Sequence, residues 1–302
     1  MIDESTAQLQ ELFHPEIEKN GLQLWVKRED LLHPEISGNK WRKLKYNLKA
    51  ARTGNYQRLL TFGGAFSNHL LAVAAAGNHF GFDTVGVVRG EAHATLNPTL
   101  QRCSDLGMQL HYIDRTTYRQ KHLPAVYTAL LDAFGPAYLI PEGGSNSLGV
   151  AGCREVWEGI SVPIDVVACA CGTGATFAGL VDAAPAGTRG WGFAVLKQGE
   201  HLKGPIGQWL GEDWSTTASW DLITDYHFGG YARYTPELLQ FLAAFKSQQG
   251  FALDPVYTGK LFYGLFDQVR QGAFRRGTSI LAVHTGGLQG IAGFQKRHQL
   301  TW

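Results

Sequence analysis

Short apolar and β-branched runs alternate with longer stretches of helical period along this 302-residue chain. Eight runs predict strands, at residues 23–27, 58–61, 84–88, 109–113, 137–140, 162–169, 190–195 and 278–283. Between them, apolar residues recur at three- and four-residue steps, as at Trp41, Leu44 and Leu48, which predicts helices. This alternation predicts an α/β protein with open, mainly parallel, twisted sheets flanked by helices. Ligands bind such sheets beyond the carboxyl ends of the strands.

The length and composition allow two domains. At roughly 150 residues per domain, 302 residues correspond to about two, and 44% hydrophobic residues suffice for both cores. No internal repeat or low-complexity linker separates two halves of the chain. We therefore predict two sheets in two domains, with a smaller α/β domain, residues 53–160, inserted in a larger one formed by residues 1–52 and 161–302.

The charge balance argues against a nucleic-acid partner. Lys and Arg number 27 against 26 Asp and Glu, and no block of five like charges occurs. One basic cluster alternates with apolar positions and is interpreted as the solvated face of a helix. Its members are Lys40, Arg42, Lys43, Lys45 and Lys49.

Compartment and metal content are also constrained by the sequence. The first ten residues are polar and acidic, and no apolar stretch is long enough to span a membrane, so we expect no signal peptide and a cytoplasmic protein. Four cysteines are too few for a disulfide framework, and they lack the spacing of a zinc site, so no metal is expected. Cys169 and Cys171 fall in an apolar run and are interpreted as small buried residues of one strand.

Paired or closely spaced glycines stand where strands should meet helices. They are Gly63 and Gly64, Gly143 and Gly144, Gly172 and Gly174, and Gly286 and Gly287. Glycine lets backbone N–H groups approach a ligand closely, so four such turns suggest a shared cleft. The alternative is that each glycine only serves its own turn.

Lys40 lies in the first turn of a predicted helix that Ser37 or Asn39 is suited to cap. An ammonium group is unfavourable there because the helix N-terminus is positive. The same field, together with burial, lowers the pKa of a lysine and makes its neutral amine available as a nucleophile. Lys40 is therefore a candidate Schiff-base lysine, although most lysines at such positions are solvated surface residues.

A second candidate element follows the predicted strand that ends near residue 170. Gly172, Thr173, Gly174, Ala175 and Thr176 precede a helix predicted to start near Phe177, and they offer backbone N–H groups and two hydroxyls to a phosphate dianion. The segment is neither a P-loop nor a dinucleotide-binding motif. Together with a Schiff-base lysine, it indicates a pyridoxal phosphate site.

Seven segments occur in order along nearly the whole chain. They are Lys27-Arg28-Glu29-Asp30, Ser37-Gly38-Asn39-Lys40, Ser67-Asn68-His69, Pro141-Glu142-Gly143-Gly144-Ser145-Asn146, residues 172–176, Asp254-Pro255-Val256-Tyr257-Thr258-Gly259-Lys260 and His284-Thr285-Gly286-Gly287. In this combination the chain resembles the D-cysteine desulfhydrase and 1-aminocyclopropane-1-carboxylate deaminase family. The resemblance implies the tryptophan synthase β-like fold (fold type II), pyridoxal 5′-phosphate as cofactor, a small amino-acid substrate and a homodimer.

The resemblance also implies roles for individual residues. Lys40 would form the Schiff base and move the α-proton of the substrate, and Asn68 would bind the 3′-oxygen of the cofactor. Ser67 would hold the substrate carboxylate or transfer a proton. Tyr257 would lie against the pyridine ring, with Tyr231 as the second tyrosine of the site. The segment 172–176 would hold the phosphate.

Thr258 and Thr285 bear on the choice between the two activities of the family. Members that open the cyclopropane ring resemble one another in having Glu and Leu at these positions, whereas desulfhydrases have hydroxyl residues at both. A carboxylate facing the pyridine nitrogen keeps it protonated and makes the ring a strong electron sink, as breaking a C–C bond requires. A hydroxyl serves a neutral nitrogen, which suffices when a thiolate leaves. We therefore predict D-cysteine as the substrate, with the cyclopropane amino acid as the alternative.

Phe66 departs from the family pattern. Ala65-Phe66 stands where the family usually has Ile-Gln, so an aromatic ring replaces an amide beside the cofactor. Phe66 either packs under the turn before Ser67 or points into the pocket. In the second case the substrate would be bulkier or more apolar than cysteine, or the protein would bind the cofactor without useful turnover.

Overall fold

The computed structural model describes residues 2–92, 94–211 and 219–300. Its strands, in chain order, are β1 (Leu9–Glu11), β2 (Gln23–Lys27), β3 (Arg58–Gly63), β4 (Asp83–Arg89), β5 (Gln109–Ile113), β6 (Tyr138–Ile140), β7 (Val166–Cys171), β8 (Arg189–Ala194), β9 (Trp220–Ile223) and β10 (Ser279–Val283). Its helices are α1 (Pro15–Lys19), α2 (Asn39–Thr53), α3 (Asn68–Phe80), α4 (Pro98–Asp105), α5 (Arg115–Arg119), α6 (Pro124–Phe134), α7 (Ser147–Arg154), α8 (Ala175–Asp182), α9 (Lys203–Leu210), α10 (Pro236–Gln249), α11 (Thr258–Arg270) and α12 (Ile291–His298). Among these residues, no helix is both long and apolar enough to cross a membrane.

The strands form two sheets that use different parts of the chain. The larger sheet has the order β1-β2-β10-β7-β8-β9, and the smaller has the order β5-β4-β3-β6. All neighbouring strands are parallel except β1, which pairs antiparallel with β2. This architecture confirms the predicted α/β fold with two mainly parallel sheets. The smaller sheet lies between residues 58 and 140, inside the span predicted as the inserted domain, whose boundaries at 53 and 160 stay a prediction.

Every strand predicted from the sequence is present, and the differences have simple causes. The run predicted at 162–169 forms a strand only from Val166 to Cys171, because Pro163 has no N–H to donate to a sheet. The sequence analysis missed β1 and β9, which are three and four residues long and lie at the two edges of the larger sheet. Such short, half-buried strands give little alternation to detect.

The cysteines behave as predicted. All four are buried and free, and Cys169 and Cys171 in β7 belong to one hydrophobic cluster with Phe177. Burial raises the pKa of Cys169 to about 12, so its thiol stays protonated. These cysteines contribute to packing.

The interpretation of the basic cluster on α2 as a solvated face is wrong for two of its members. Arg42 and Lys43 are 2% and 3% exposed, because this face of α2 packs against α7. Arg42 donates from Nε and Nη2 to the two carboxylate oxygens of buried Glu29, at 2.9 and 3.0 Å. Of the five basic residues, only Lys49 is exposed, and Lys40 and Lys45 are partly buried.

Candidate active site

The four glycine turns meet at one cavity of about 1140 Å³. Gly64 follows β3, Gly172 and Gly174 follow β7, and Gly286 follows β10. Gly143 belongs to the segment after β6, and all of these residues line the cavity. Within each sheet, parallel strands present their carboxyl ends at the same edge, and the cavity is lined by the loops at these edges of both sheets. The structure thus brings together the turns that the sequence analysis grouped into a cleft.

Lys40 lies in the first turn of α2, at the wall of this cavity. The prediction that Ser37 or Asn39 caps the helix is wrong, because the N-cap is Gly38, which offers no side chain. Gly38 has φ +58°, and a Cβ atom on it would stand 2.0 Å from the carbonyl oxygen of Thr285. The close approach of these two backbone segments excludes any other residue at this position.

The amine of Lys40 is suited to act as a nucleophile. Burial, followed by repulsion from the Lys43 ammonium, lowers the pKa of Lys40 from 10.5 to about 7. Its Nζ donates to Asn39 Oδ1 at 3.2 Å. A large fraction of Lys40 is therefore a neutral amine at pH 7, as Schiff-base formation requires.

The segment 172–176 lines the same cavity and is joined to α2 and to the segment after β6 by side-chain hydrogen bonds. Asn39 Nδ2 donates to Thr176 Oγ1 at 2.9 Å, and Ser145 Oγ donates to Thr173 Oγ1 at 2.6 Å. Helix α8 begins at Ala175, two residues before the predicted start, so the free N–H groups of its first turn lie within this segment. Hydroxyls and a helix N-terminus therefore converge at one end of the cavity.

Lys43 is a candidate phosphate ligand that the sequence analysis missed. Its Nζ donates to the carbonyl oxygen of Gly143 at 3.1 Å and lies 3.5 Å from Thr173 Oγ1. Burial lowers the pKa of Lys43. The sequence signal was available, because residues three apart lie on the same face of a helix, and Lys43 follows Lys40 at that distance.

Tyr257 contacts the phosphate-side segment, and Tyr231 lies at the cavity mouth. A Cβ atom on Gly172 would stand 2.9 Å from Cε1 of Tyr257, so only glycine lets the ring lie here. The two tyrosine rings are 6.3 Å apart, edge to face. Burial, and then the nearby Tyr231 phenol, raise the pKa of Tyr257 well above 10.0, which keeps it protonated at neutral pH.

Asp254 lines the cavity, whereas Thr258 lies behind it. Oδ1 of Asp254 accepts hydrogen bonds from the N–H and Oγ1 of Thr258, at 2.7 and 2.8 Å. Thr258 is fully buried and is not among the residues that line the cavity, whereas Thr285 is. The placement of Thr258 opposite the pyridine nitrogen therefore stays a prediction. Asp254 was missed as a site residue, although it stands in a quoted motif.

Ser67 and Asn68 open α3 at the cavity. Ser67 is the N-cap, and its Oγ accepts hydrogen bonds from the N–H groups of His69 and Leu70, both at 3.2 Å. Asn68 lies beside the turn after β10, since its Nδ2 is 3.2 Å from the place of a Cβ on Gly287. Phe66 lines the cavity rather than packing under the turn. The structure thus brings Ser67, Asn68 and Phe66 to the same cavity as Lys40.

These residues fit pyridoxal phosphate. Lys43, two threonine hydroxyls and the first turn of α8 provide donors for a phosphate dianion at one end of the cavity. Lys40 provides an amine of lowered pKa for the aldehyde, and the ring of Tyr257, which lies against Gly172, provides a flat apolar surface in the cavity. The donor set therefore agrees with the cofactor inferred from the sequence.

Comparisons with known proteins agree with this site. The model of the family described as pyridoxal-phosphate dependent enzyme matches residues 6–286. A Pyrococcus furiosus protein, named provisionally as a 1-aminocyclopropane-1-carboxylate deaminase, is 33% identical over 287 residues, covering 89% of this chain and 86% of that protein. An Arabidopsis thaliana protein named bifunctional D-cysteine desulfhydrase/1-aminocyclopropane-1-carboxylate deaminase, mitochondrial, is 32% identical and covers 90% of this chain and 74% of its own length.

A solved structure described as an ACC deaminase homologue superposes with a TM-score of 0.81 and 29% identity, covering 98% of this chain and 94% of that one. The family match spans nearly the whole chain and includes Lys40, the segment 172–176 and Thr285. This chain therefore belongs to the family of pyridoxal-phosphate-dependent enzymes, in the group of the D-cysteine desulfhydrase and 1-aminocyclopropane-1-carboxylate deaminase relatives.

Proposed function

We propose that this enzyme catalyses β-elimination and deamination of a small amino acid, most specifically D-cysteine. D-cysteine and water would give pyruvate, hydrogen sulfide and ammonia. The observation that supports this most directly is the amine of Lys40, which has a lowered pKa and shares a cavity with a phosphate cradle. Hydroxyl residues at positions 258 and 285 favour a thiolate over a carbon leaving group.

The bound cofactor supplies an electron sink next to the α-carbon of the substrate. Around it, Lys43, Thr173 and Thr176 would hold the phosphate, and Asn68 would bind the 3′-oxygen of the ring. Ser67, at the N-terminus of α3, would bind the substrate carboxylate through its hydroxyl. With the substrate so fixed, the amine of Lys40 takes the proton from Cα.

The tyrosines would act on the leaving group. Burial raises the pKa of Tyr257, so its phenol stays protonated and is able to donate a hydrogen bond to the departing sulfur. Tyr231, with 43% of its surface exposed, stands at the mouth and orients the Tyr257 hydroxyl by edge-to-face contact. We place both residues in the catalytic site on this basis.

The names of the relatives support deamination of 1-aminocyclopropane-1-carboxylate equally well, so it is the second candidate. That reaction breaks a C–C bond and depends on a protonated pyridine nitrogen. In this chain Thr258 gives its hydroxyl to Asp254, and Thr285 offers no carboxylate. The absence of an acidic side chain at these two positions is our reason for ranking the cyclopropane substrate below D-cysteine.

One panel assay tests the proposal. Enzyme reconstituted with pyridoxal phosphate should absorb near about 410–420 nm, and the Lys40→Ala variant should lack this band. Pyruvate from D- and L-cysteine is then measured beside 2-oxobutyrate from the cyclopropane amino acid. Dominant 2-oxobutyrate would overturn our choice of substrate. If the absorbance band is present but no amino acid gives a product, the protein binds the cofactor without turnover. Phe66, which lines the cavity, would then be the residue to replace first.

A further inference from the structure

Four arginines line the active-site cavity and come from four separate parts of the chain. Arg89 ends β4, Arg115 begins α5, Arg233 follows Tyr231, and Arg297 lies in α12. All four are exposed. Among the described residues, the ion pairs involve other cations, so these four guanidinium groups have no carboxylate partner.

The cavity is much more positive than the chain as a whole. Lys and Arg nearly balance Asp and Glu in the sequence, at 27 and 26, yet Lys43 and four Arg, besides the partly neutral Lys40, line the cavity against two Asp and Glu. Both carboxylates already have partners in the protein. Glu142 accepts a hydrogen bond from the Tyr118 hydroxyl at 2.7 Å and forms an ion pair with Lys121 at 3.1 Å. Asp254 accepts from the backbone of its own turn.

Two of the arginines lie over the turn that precedes Ser67. The Nη2 atom of Arg89 lies 3.4 Å from the place of a Cβ on Gly64. The guanidinium of Arg297 lies over the Phe66 ring, 5.1 Å from its centroid. The substrate carboxylate, assigned to Ser67 and the start of α3, would therefore have two further cations beside it. The single negative charge of that carboxylate does not neutralise the two guanidinium groups.

We propose that the pocket selects amino acids whose β-substituent ends in a carboxylate, sulfonate or phosphate, and that Arg89 and Arg297 bind this second anionic group. Bidentate pairing of guanidinium with an oxyanion supplies both attraction and orientation. Phe66 supports this role, because its ring fixes the Arg297 guanidinium by cation–π contact. The inference rests on the proposed function, since it keeps the elimination and specifies only the leaving group.

The chemistry balances without a further reactant. For S-carboxymethylcysteine, the Cα–H bond breaks and its proton passes to the amine of Lys40. The Cβ–S bond breaks, its electron pair leaves on sulfur, and the sulfur takes a proton from solvent, to which Lys40 returns the proton from Cα. Water then releases ammonia from the remaining three-carbon fragment. The products are pyruvate, ammonia and mercaptoacetate.

A binding experiment tests the arginines without turnover. Aspartate and asparagine have nearly the same size and differ in the charge at the end of the β-substituent. Calorimetry with the holoenzyme at about 0.02 M salt should show at least about tenfold tighter binding of aspartate, of either enantiomer, and a smaller preference at about 0.5 M salt, where screening is strong. Equal affinities would overturn the inference.

Variants then locate the effect. The double variant Arg89→Gln/Arg297→Gln should lose the preference for aspartate. The matched control Arg275→Gln, an exposed arginine that does not line the cavity, should keep it. A preference that survives in the double variant would overturn the assignment to these two residues. Retention of the preference in the control, with its loss in the double variant, would support it.

Turnover separates this inference from the proposed function. S-carboxymethylcysteine and S-ethylcysteine share a thioether and differ in charge, and pyruvate formation gives kcat/KM for each. The inference predicts a ratio that favours the carboxymethyl compound and falls in the double variant. If no amino acid yields pyruvate while the aspartate preference persists, the proposed elimination fails and the arginine site stands. If D-cysteine and both thioethers react with equal kcat/KM, the elimination stands and the arginine site fails.

Discussion

Lys40 and Lys43 place two buried amines one helical turn apart, and this proximity determines how the apoprotein takes up its cofactor. Burial and the Lys43 charge lower the pKa of Lys40 from 10.5 to about 7. Only the neutral amine attacks an aldehyde, so the rate of cofactor capture should rise with pH up to about 7 and level off above it. Stopped-flow absorbance from about pH 5.5 to 9.5 measures this profile. A rate that still rises tenfold per pH unit at pH 9 would contradict the lowered pKa.

Lys43 should affect cofactor binding and stability in opposite directions. Replacing it by Met removes a charge-assisted contact with the phosphate, worth about 1.5–3 kcal/mol, so the dissociation constant for pyridoxal phosphate should rise about tenfold to a hundredfold. The unfolding free energy of the apoprotein should not fall, because burying this ammonium is unfavourable, as its lowered pKa indicates. Titration with cofactor and urea unfolding measure the two quantities. Lys49→Met, on the exposed face of α2, should change neither.

Gly38 allows a separation of backbone strain from steric overlap. Gly38→Ala should lower the unfolding free energy by more than about 3 kcal/mol, because a Cβ would collide with Thr285 as well as adopt a positive φ. Gly81→Ala is the matched control: Gly81 has φ +73° and nothing within 4 Å, so it should cost only about 1 kcal/mol. Urea unfolding measures both variants. Equal losses would show that the close approach of the two segments contributes nothing.

At the scale of elements, Lys260 connects α11 to the loop that bears Tyr231. Its Nζ donates to the carbonyl oxygens of His227 and Gly230, at 2.8 and 2.7 Å, and lies 3.3 Å from that of Val195 at the end of β8. Burial lowers the pKa of Lys260 to about 8. Because this value is still above 7, most of the amine is charged at pH 7. Lys260 therefore holds the residues just before Tyr231 in place.

We expect Lys260→Met to release this loop. Activity should fall at least about tenfold, since a loosely held Tyr231 no longer orients Tyr257. Cofactor absorbance should persist, because Lys260 does not contact the phosphate cradle. The loop should also become more sensitive to limited proteolysis near residue 230, a readout that loss of a catalytic group would not produce. Lys246→Met, at an exposed position of α10, is the control. Unchanged activity and proteolysis in Lys260→Met would refute the role of the tether.

Elements also show which features the sequence could predict. Strands β2 and β5 were located to the residue, because both are short runs rich in apolar and aromatic residues. The N-cap of α2 was predicted wrongly, since the requirement for Gly38 comes from the backbone of Thr285, which is distant in the sequence. The burial of Arg42 and Lys43 was missed for the same reason, because it arises from α7, about 100 residues further along the chain.

On the scale of the whole molecule, the sequence could predict those residues of the candidate site that directly follow strands. The loops after β7 and β10 had to lie near each other, because these neighbouring parallel strands end at the same edge of the larger sheet, whereas the approach of the loop after β3 depends on how the smaller sheet packs against the larger one. The arginines at the mouth had no such signal, since β4, α5 and α12 bring them together from sequence positions that share no motif. Oligomeric state depends on surfaces between molecules, and the homodimer stays a prediction.

The cavity draws on both halves of the fold, which predicts how the cofactor affects stability. Gly64 and Ser67 follow the smaller sheet, whereas Gly172 and Thr285 follow the larger one. A ligand that binds only the folded state adds about 2.7 kcal/mol at a hundredfold excess over its dissociation constant, so pyridoxal phosphate should raise the melting temperature by roughly 4 °C. Pyridoxal, which lacks the phosphate, should raise it much less at the same concentration, because the donors of residues 172–176 and Lys43 then stay unfilled. Differential scanning calorimetry compares the two, and equal shifts would mean that the phosphate binds elsewhere.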